Sequence, residues 1–212
     1  DWKTAFQPIS HIQSVPGVVL VTPSSPIKTL KDFVALGKDG AFSVADSGIG
    51  TTNHIILALL MDATNTKYTL IHYKGSGQAH VDVIAGQVPA QVDQVNAAIG
   101  HIKAGKLRAI AVTGAARSKA LPDIPTLGEF YPGFENSIWI GLFALKDTPA
   151  PIIARLREEI AHALQSPELI EAFARAGGIE PMITTPDDMR ALIARDQAKY
   201  GKIVRDLNLT LD

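Results

Sequence analysis

Two stretches of this chain share one plan, a short apolar strand followed by a glycine turn and a helix, and that repetition constrains the fold more than any other feature. In the first, Phe42-Ser43-Val44-Ala45 reads as a buried strand and residues 46–50 as a turn with two glycines. Thr51 or Thr52 then caps a helix carrying Ile55, Ile56, Leu59 and Leu60. In the second, residues 68–73 are a strand, Lys74-Gly75-Ser76-Gly77 is the turn, and a helix covers residues 78–85. Further strands are expected at 17–22, 87–92 and 107–113, with helices at 28–37 and 96–103. Such alternation argues for an α/β fold with a mostly parallel, doubly wound sheet, whose ligands sit at the carboxyl ends of its strands. Both glycine turns lie there.

A helix N-terminus carries partial positive charge and N–H groups without intrahelical partners, so it can hold a carboxylate or phosphate without an Arg or Lys. Two such termini facing one cleft make a candidate anion site. Dinucleotide binding fits poorly. Gly48-x-Gly50 is followed by Asn53 where a third glycine belongs, and the region near Leu70 has no acidic residue for a ribose. A P-loop is excluded because no Gly-Lys-Ser/Thr follows.

With 212 residues, 46% apolar and 19% charged, the chain suits one large globular domain or two small ones. Its 20 basic and 21 acidic side chains are scattered evenly, so no basic stripe marks nucleic acid or an anionic membrane as partner. The absence of cysteine excludes disulfides, thiolate catalysis and Cys-ligated zinc, and leaves the compartment open. The six histidines show no i, i+4 pair on one helix, so neither a metal nor another cofactor is expected. Asp1-Trp2-Lys3-Thr4 lacks the basic and apolar regions of a secretory signal.

Residues 1–15 read as irregular, with Trp2, Phe6 and Ile9 packed against something larger. Residues 115–136 change character, since Arg117, Lys119, Pro122, Pro125 and Pro132 mark a connector. Beyond it come a strand at 137–145, helices at 150–165 and 167–176, and a short strand at 179–182. A last helix starts near Pro186, capped by Thr185, and runs to about Leu207. The expected organisation is a lead-in at 1–17, a complete α/β domain at 18–114, a connector at 115–136 and a further unit at 137–212. Two strands do not cover three helices, so that last unit needs sheet from elsewhere, and an N-terminal portion of the natural protein is expected to lie outside this sequence.

Several pieces follow one another in a familiar order: Trp2 with Phe6-Gln7-Pro8-Ile9, residues 18–21 and 43–54, Ile71-His72-Tyr73-Lys74-Gly75, Gly86-Gln87-Val88, residues 102–113 and 121–126, and Trp139-Ile140-Gly141-Leu142. In this the chain resembles, over essentially its whole length, the Bug family of periplasmic substrate-binding proteins of tripartite tricarboxylate transporters. The resemblance implies a type II periplasmic-binding-protein fold, two α/β domains joined by crossing strands that close on a small organic carboxylate in the cleft between them. On that reading 1–17 and 137–212 belong to domain one and 18–114 to domain two. It further implies a di- or tricarboxylate, aromatic or amino-acid carboxylate as ligand, a periplasmic location, delivery to a membrane permease, a monomer when full length, and no catalysis. The missing N-terminal portion would supply the first strands of domain one and a Pro-Gly-Gly loop.

The family's Gly-Ser-x-Gly-x-Gly-Thr-x-x-His segment corresponds to residues 45–54. Ser47, Gly48, Gly50, Thr51 and Thr52 are thereby implied as a carboxylate cradle with His54 beside it, while Ala45 and Asp46 replace the usual opening Gly-Ser. A Val-Pro-Tyr-Lys-Gly segment becomes Ile71-His72-Tyr73-Lys74-Gly75, with His72 for proline, and adds Tyr73, Lys74, Gly75 and Ser76 to the implied site. Pro89 stands where the family usually has aspartate, and Asp93 matches an acidic residue found a few positions later. The stretch 90–96 is the least typical and is expected to tune the ligand. The residues' own chemistry leaves other roles open: a capping His54, a strand-end Tyr73, a solvated Lys74, an Asp93 that caps a helix before Asn96 or selects an amino group, and a Trp139 in the domain-one core. An enzyme acting on an anionic substrate would have Asp46, Asp93 and His54 without a third orienting group. A ligand-sensing regulator domain would share the two-domain architecture. Both stay open as alternatives.

Overall fold

Val18-Val19-Leu20-Val21 is fully buried on an interior strand of a sheet in the computed structural model, which describes residues 1–177 and 179–206. A strand covered on both faces has no polar side to alternate with, so it appears in sequence as an apolar run. The strand that contains it, β1 (Phe6–Val21), is 16 residues long and starts well before the expected residue 17. Residues 1–15 are therefore not irregular: they form a single helical turn, α1 (Trp2–Ala5), and the first half of β1. Pro8 and Pro16 hid the strand. Pro16 stands where the partners of β1 change, and a strand tolerates a missing N–H at such a point. Ile9 is buried and Phe6 is exposed. The side chain of Trp2 lies outside the described residues.

The chain forms two compact units and passes from one to the other within β1 and again near the start of β6 (Ser137–Leu145). The unit Val15–Ile138 is built on β2 (Ser43–Asp46), β3 (Thr69–His72), β4 (Ala90–Gln94), β5 (Arg108–Val112) and the second half of β1, in the order β3-β2-β4-β1-β5. β2 is parallel to β3 and β4, and β1 is antiparallel to β4 and β5, so all strands of this unit but β1 share one direction. Successive residues of β1 serve opposite faces. Val19 and Val21 pack with Phe33 of α2 (Leu30–Leu36) and Ile56, Leu57 and Leu60 of α3 (Thr52–Thr64). Val18 and Leu20 pack with Ala79 and Val83 of α4 (Ser76–Ile84) and Ala98 and Ile99 of α5 (Val95–Lys103).

Strand β4 lies later than the expected 87–92, because the chain turns at Gly86 (φ 76°) and Pro89 has no N–H to give a ladder. The stretch 115–136 packs into this unit, with Leu121 and Leu127 buried and a backbone bridge between Val112 and Thr126. Its short 3-10 turn, Leu127–Glu129, is closed by a Thr126–Glu129 capping box.

The other unit comprises Asp1–Ser14 and, among the described residues, 139–177 and 179–206. Here β6 and β7 (Glu180–Pro181) pair with β1, accompanied by α6 (Ala150–Leu164), α7 (Pro167–Ala176) and α8 (Pro186–Asp206). The expected end of the last helix at Leu207 lies outside the described residues. Thr185 caps α8 as expected, its hydroxyl accepting from Asp188 N at 3.1 Å. Met189 is fully buried against Gly141, where a Cβ would collide with its Cε. Trp139 donates from Nε1 to the buried Asp196 at 2.7 Å. Much apolar surface is left uncovered here: Leu145 is 66% exposed, and Ile140, Leu142, Phe143 and Ile152 are exposed as well. Among the described residues, no helix is long and apolar enough to cross a membrane.

Phe33 is fully buried and meets the rings of Phe42 and Tyr68 with centroids 5.8 and 5.0 Å away. Replacing it with Ala leaves a cavity and is expected to lower stability by about 3–5 kcal/mol. Denaturant unfolding should show a lower midpoint at unchanged slope.

Candidate functional site

Because β3, β2 and β4 are neighbours running in one direction, their carboxyl ends share an edge, and each leads directly into a helix: β2 into α3, β3 into α4 and β4 into α5. The sequence disclosed two of these helix starts. The third was expected at residue 96 and begins at Val95, but a strand expected to stop at residue 92 left Asp93 and Gln94 in a loop, so its place at this edge was not read. Backbone bonds hold the first two turns side by side, Tyr73 N donating to Asp46 O (3.2 Å) and Gly75 N to Ser47 O (3.0 Å). Gly48 (φ 132°) permits that approach, since a Cβ there would stand 2.8 Å from Tyr73 O.

The three helix starts differ in how their orphan N–H groups are met. Thr51 caps α3, its hydroxyl accepting from His54 N, whereas the N-cap residues of α4 and α5, Gly75 and Gln94, make no side-chain cap. The first-turn N–H groups of Ser76, Gly77 and Gln78, and of Val95, Asn96 and Ala97, have no protein partner among the described residues. The glycine turn before α3 is different. Gly48 N donates to Asp46 Oδ1 (2.7 Å) and Gly50 N to His54 Nδ1 (3.1 Å), so two amides of the expected cradle are already engaged by side chains of the same loop. Thr51 is occupied likewise, its Oγ1 donating to Gly48 O (2.7 Å). What this loop offers an anion is the start of α3 at Thr52 and the exposed tip at Ile49.

Asp93 ties the three helix starts together. Fully buried, its Oδ1 accepts from Asn53 Nδ2 (2.9 Å) in α3, Ser76 Oγ (2.7 Å) in α4 and Gln94 N (2.8 Å) before α5. Oδ2 accepts from Gln91 Nε2 (3.3 Å), and His80 Nε2 lies 2.8 Å away, within ion-pair reach but off the hydrogen-bonding line. Asn53 also donates to Ser47 Oγ (2.8 Å) and accepts from Gln94 Nε2. A buried carboxylate without Arg or Lys among these partners is held by donors and by the positive ends of the helices. Asp93 thus sits beneath the surface as a brace, with its lone pairs taken up by the protein.

The other candidates gather around this brace, apart from Lys74, which is exposed and has no partner among the described residues. Tyr73 turns its hydroxyl to Asp82 (2.7 Å), and burial, reinforced by that carboxylate, pushes it up to about 12. His54 is 4% exposed, and burial lowers its pKa, opposed by the Asp46 carboxylate and reinforced by His72. Its Nδ1 accepts from Gly50 N, so the neutral ring carries its proton on Nε2. Sequence reading named Asp46 and His72 as departures from a pattern, and Asp46 as one carboxylate of an alternative enzyme site, without pairing them, yet they stand 2.8 Å apart. Asn53, Gln91 and Gln94 gave no sequence signal beyond being amides, and they matter because the fold brings them to Asp93.

The profile of the family described as "Tripartite tricarboxylate transporter family receptor" matches residues 1–209. BugT of Bordetella pertussis is 36% identical over 207 residues, covering 96% of this chain and 63% of its own length. The solved structure of Rpa4515 of R. palustris with adipate has a TM-score of 0.83 at 29% identity, covering 97% of this chain and 69% of that one. MatC from Rhodopseudomonas palustris with bound malate gives 0.76 at 25% identity, over 94% of this chain and 69% of that one. An α/β fold of the periplasmic-binding-protein class is what the sheet order and these structures define. Within that class, the chain belongs to the tripartite tricarboxylate receptor (TctC) family, which includes the Bug proteins. It spans 63% of the length of BugT, and 60% of a similar protein from Agrobacterium vitis.

Asp93→Asn puts an amide in place of a carboxylate whose oxygens only accept, among the donors Asn53, Ser76, Gln94 N and Gln91 with His80 Nε2 2.8 Å away, and is expected to cost about 1–3 kcal/mol in chemical unfolding. For pH, the sign follows from His54 and His11, both lowered mainly by burial. The unfolded chain takes up more protons than the folded one, so their contribution is fully present above the ordinary imidazole value of about 6.5 and is lost as pH falls through the lowered folded values. Unfolding midpoints measured between pH 8 and 5 should decline on that side, and less steeply in His54→Asn, which keeps an acceptor for Gly50 N–H.

Proposed function

We propose that this protein is an extracytoplasmic solute receptor that binds a small organic carboxylate at the carboxyl edge of the β3-β2-β4 strands and delivers it to the membrane permease of a tripartite tricarboxylate transporter. One observation carries the reading: three helix starts meet at that edge, braced by Asp93, and two of them expose first-turn N–H groups that no side chain caps. Backbone donors and the helix dipoles suffice for a carboxylate, so Lys74 is not required. Thr52, Ser76, Gly77 and Gln78 from α3 and α4, with Asn96 from α5, are the groups assigned to it. His54, Tyr73 and Gly75 line the same edge, while Ser47, Gly48, Gly50, Thr51 and Asp93 shape it. Related receptors with adipate and with malate support a dicarboxylate as ligand class.

A periplasmic location and action as a monomer accompany this reading, with the unit Val15–Ile138 as domain two and the other unit as part of domain one. A non-catalytic role is favoured by how the reactive groups are used. Asp46 and Asp93 are buried and hydrogen-bonded, and the Ser47 hydroxyl lies among Thr51 and Asn53 with no base beside it.

The test is a thermal-shift and calorimetric titration with adipate, malate and citrate. A ligand at a hundred times its Kd stabilises by about 2.7 kcal/mol, and silence across all three counts against the proposal. Gly77→Asp adds a carboxylate where a Cβ meets nothing within 4 Å, at a helix start that favours negative charge. It is expected to keep or raise the unfolding midpoint and to weaken binding by about tenfold or more, through like-charge repulsion.

A further inference from the structure

Asp46 and His72 are two of the places at which this chain departs from the pattern it otherwise resembles, and the fold makes them partners. The Asp46 side chain is fully buried, with Oδ1 accepting from Gly48 N (2.7 Å) and Oδ2 standing 2.8 Å from His72 Nδ1. A carboxylate only accepts, so Nδ1 presents its N–H to Asp46, and in the neutral form of the ring Nε2 is the bare nitrogen. His72 lies on β3, the edge strand of its sheet, with 29% of its side chain exposed. His54 is oriented the other way: Gly50 N–H fills its Nδ1 and leaves Nε2–H as a donor. The two rings stand 4.7 Å apart between centroids.

We propose that His72 receives one carboxylate of the ligand at Nε2 and takes up a proton as it does so, with Asp46 as its fixed counter-charge, so that anion binding by this protein is coupled to protonation. This deepens the carboxylate-receptor reading and rests on it. A bare Nε2 and a carboxylate are both acceptors and repel. One proton from solvent turns Nε2 into a charged donor, and the imidazolium then lies between Asp46 and the ligand, two negative groups that favour it. His54 needs no proton to contribute, because its Nε2–H already donates, and burial together with His72 keeps it neutral. Two imidazoles this close do not both charge readily, so the uptake is a single proton held by the pair.

The groups facing His72 are Asp46 from β2 and His54 from α3. Along its own strand follow Tyr73, whose hydroxyl is held by Asp82 of α4, and the exposed Lys74. Asp93 of β4 reaches Asn53, the neighbour of His54 in α3.

Calorimetric titration with adipate in phosphate and in Tris at one pH reads the proton directly, because the enthalpies differ by the buffer ionisation heat times the number of protons taken up. A net uptake of up to one proton per ligand is expected, with affinity rising toward lower pH by at most about tenfold per pH unit. In His72→Asn, whose side-chain N–H can still reach Asp46, uptake disappears and affinity becomes flat with pH, while the unfolding midpoint shows that the variant is folded. Binding of adipate without proton uptake overturns the proposal and leaves the carboxylate receptor standing. Uptake that persists in His72→Asn also overturns it, and absence of binding to adipate, malate and citrate overturns both.

Discussion

A carboxylate buried at the start of three helices, with no Arg or Lys among its partners, is the interaction on which the rest of this edge depends. Asp93 accepts from a side chain of α3, from a side chain of α4 and from the backbone before α5, so each helix start is fixed relative to the other two. An isolated ionised group would be costly at that depth, and the fold meets the cost with hydrogen bonds and with aligned peptide dipoles. The arrangement works only because β3, β2 and β4 are adjacent and parallel. Were β4 reversed, Asp93 would sit at the opposite edge and the helix starts would lose their common anchor.

The same edge divides its backbone donors between internal and external use. In the turn after β2, Gly48 and Gly50 donate to Asp46 and His54 and Thr51 closes the helix, which makes that loop rigid and largely self-satisfied. At α4 and α5 the corresponding groups are left without side-chain caps. A glycine-rich turn is therefore not by itself an anion site; what decides is whether neighbouring side chains reach its amides first. Asp46 and His54 do so here, and Asp46 pairs with His72 as well.

The two units differ in how much apolar surface they bury. In the unit Val15–Ile138, helices lie on both faces of the sheet and two apolar clusters flank β1. In the other, Leu145, Ile140, Leu142, Phe143 and Ile152 remain exposed on β6 and α6, and its deepest side chain, Met189, is accommodated by the missing Cβ of Gly141.

Local pattern was enough for most elements. Strand β6 and helix α7 have the bounds that alternation, Pro167 and the flanking residues indicated, and Thr29, Thr51 and Thr185 cap helices because a hydroxyl before a helical run needs only its own next turn. Where prolines interrupt a strand or displace it, as at Pro8, Pro16 and Pro89, local reading failed, since whether a missing N–H matters depends on which strand lies opposite. The sequence by itself determined the class of fold, the family and the two glycine turns, all properties of residues close together in the chain. Only the tertiary structure decided that Asp93 ties three helix starts together, that the third of them joins the edge, and that Asp46 meets His72. Those outcomes rest on contacts between residues up to 41 positions apart, such as Gln94 with Asn53, and a hydrogen bond at that separation exists only once the strands have chosen their order.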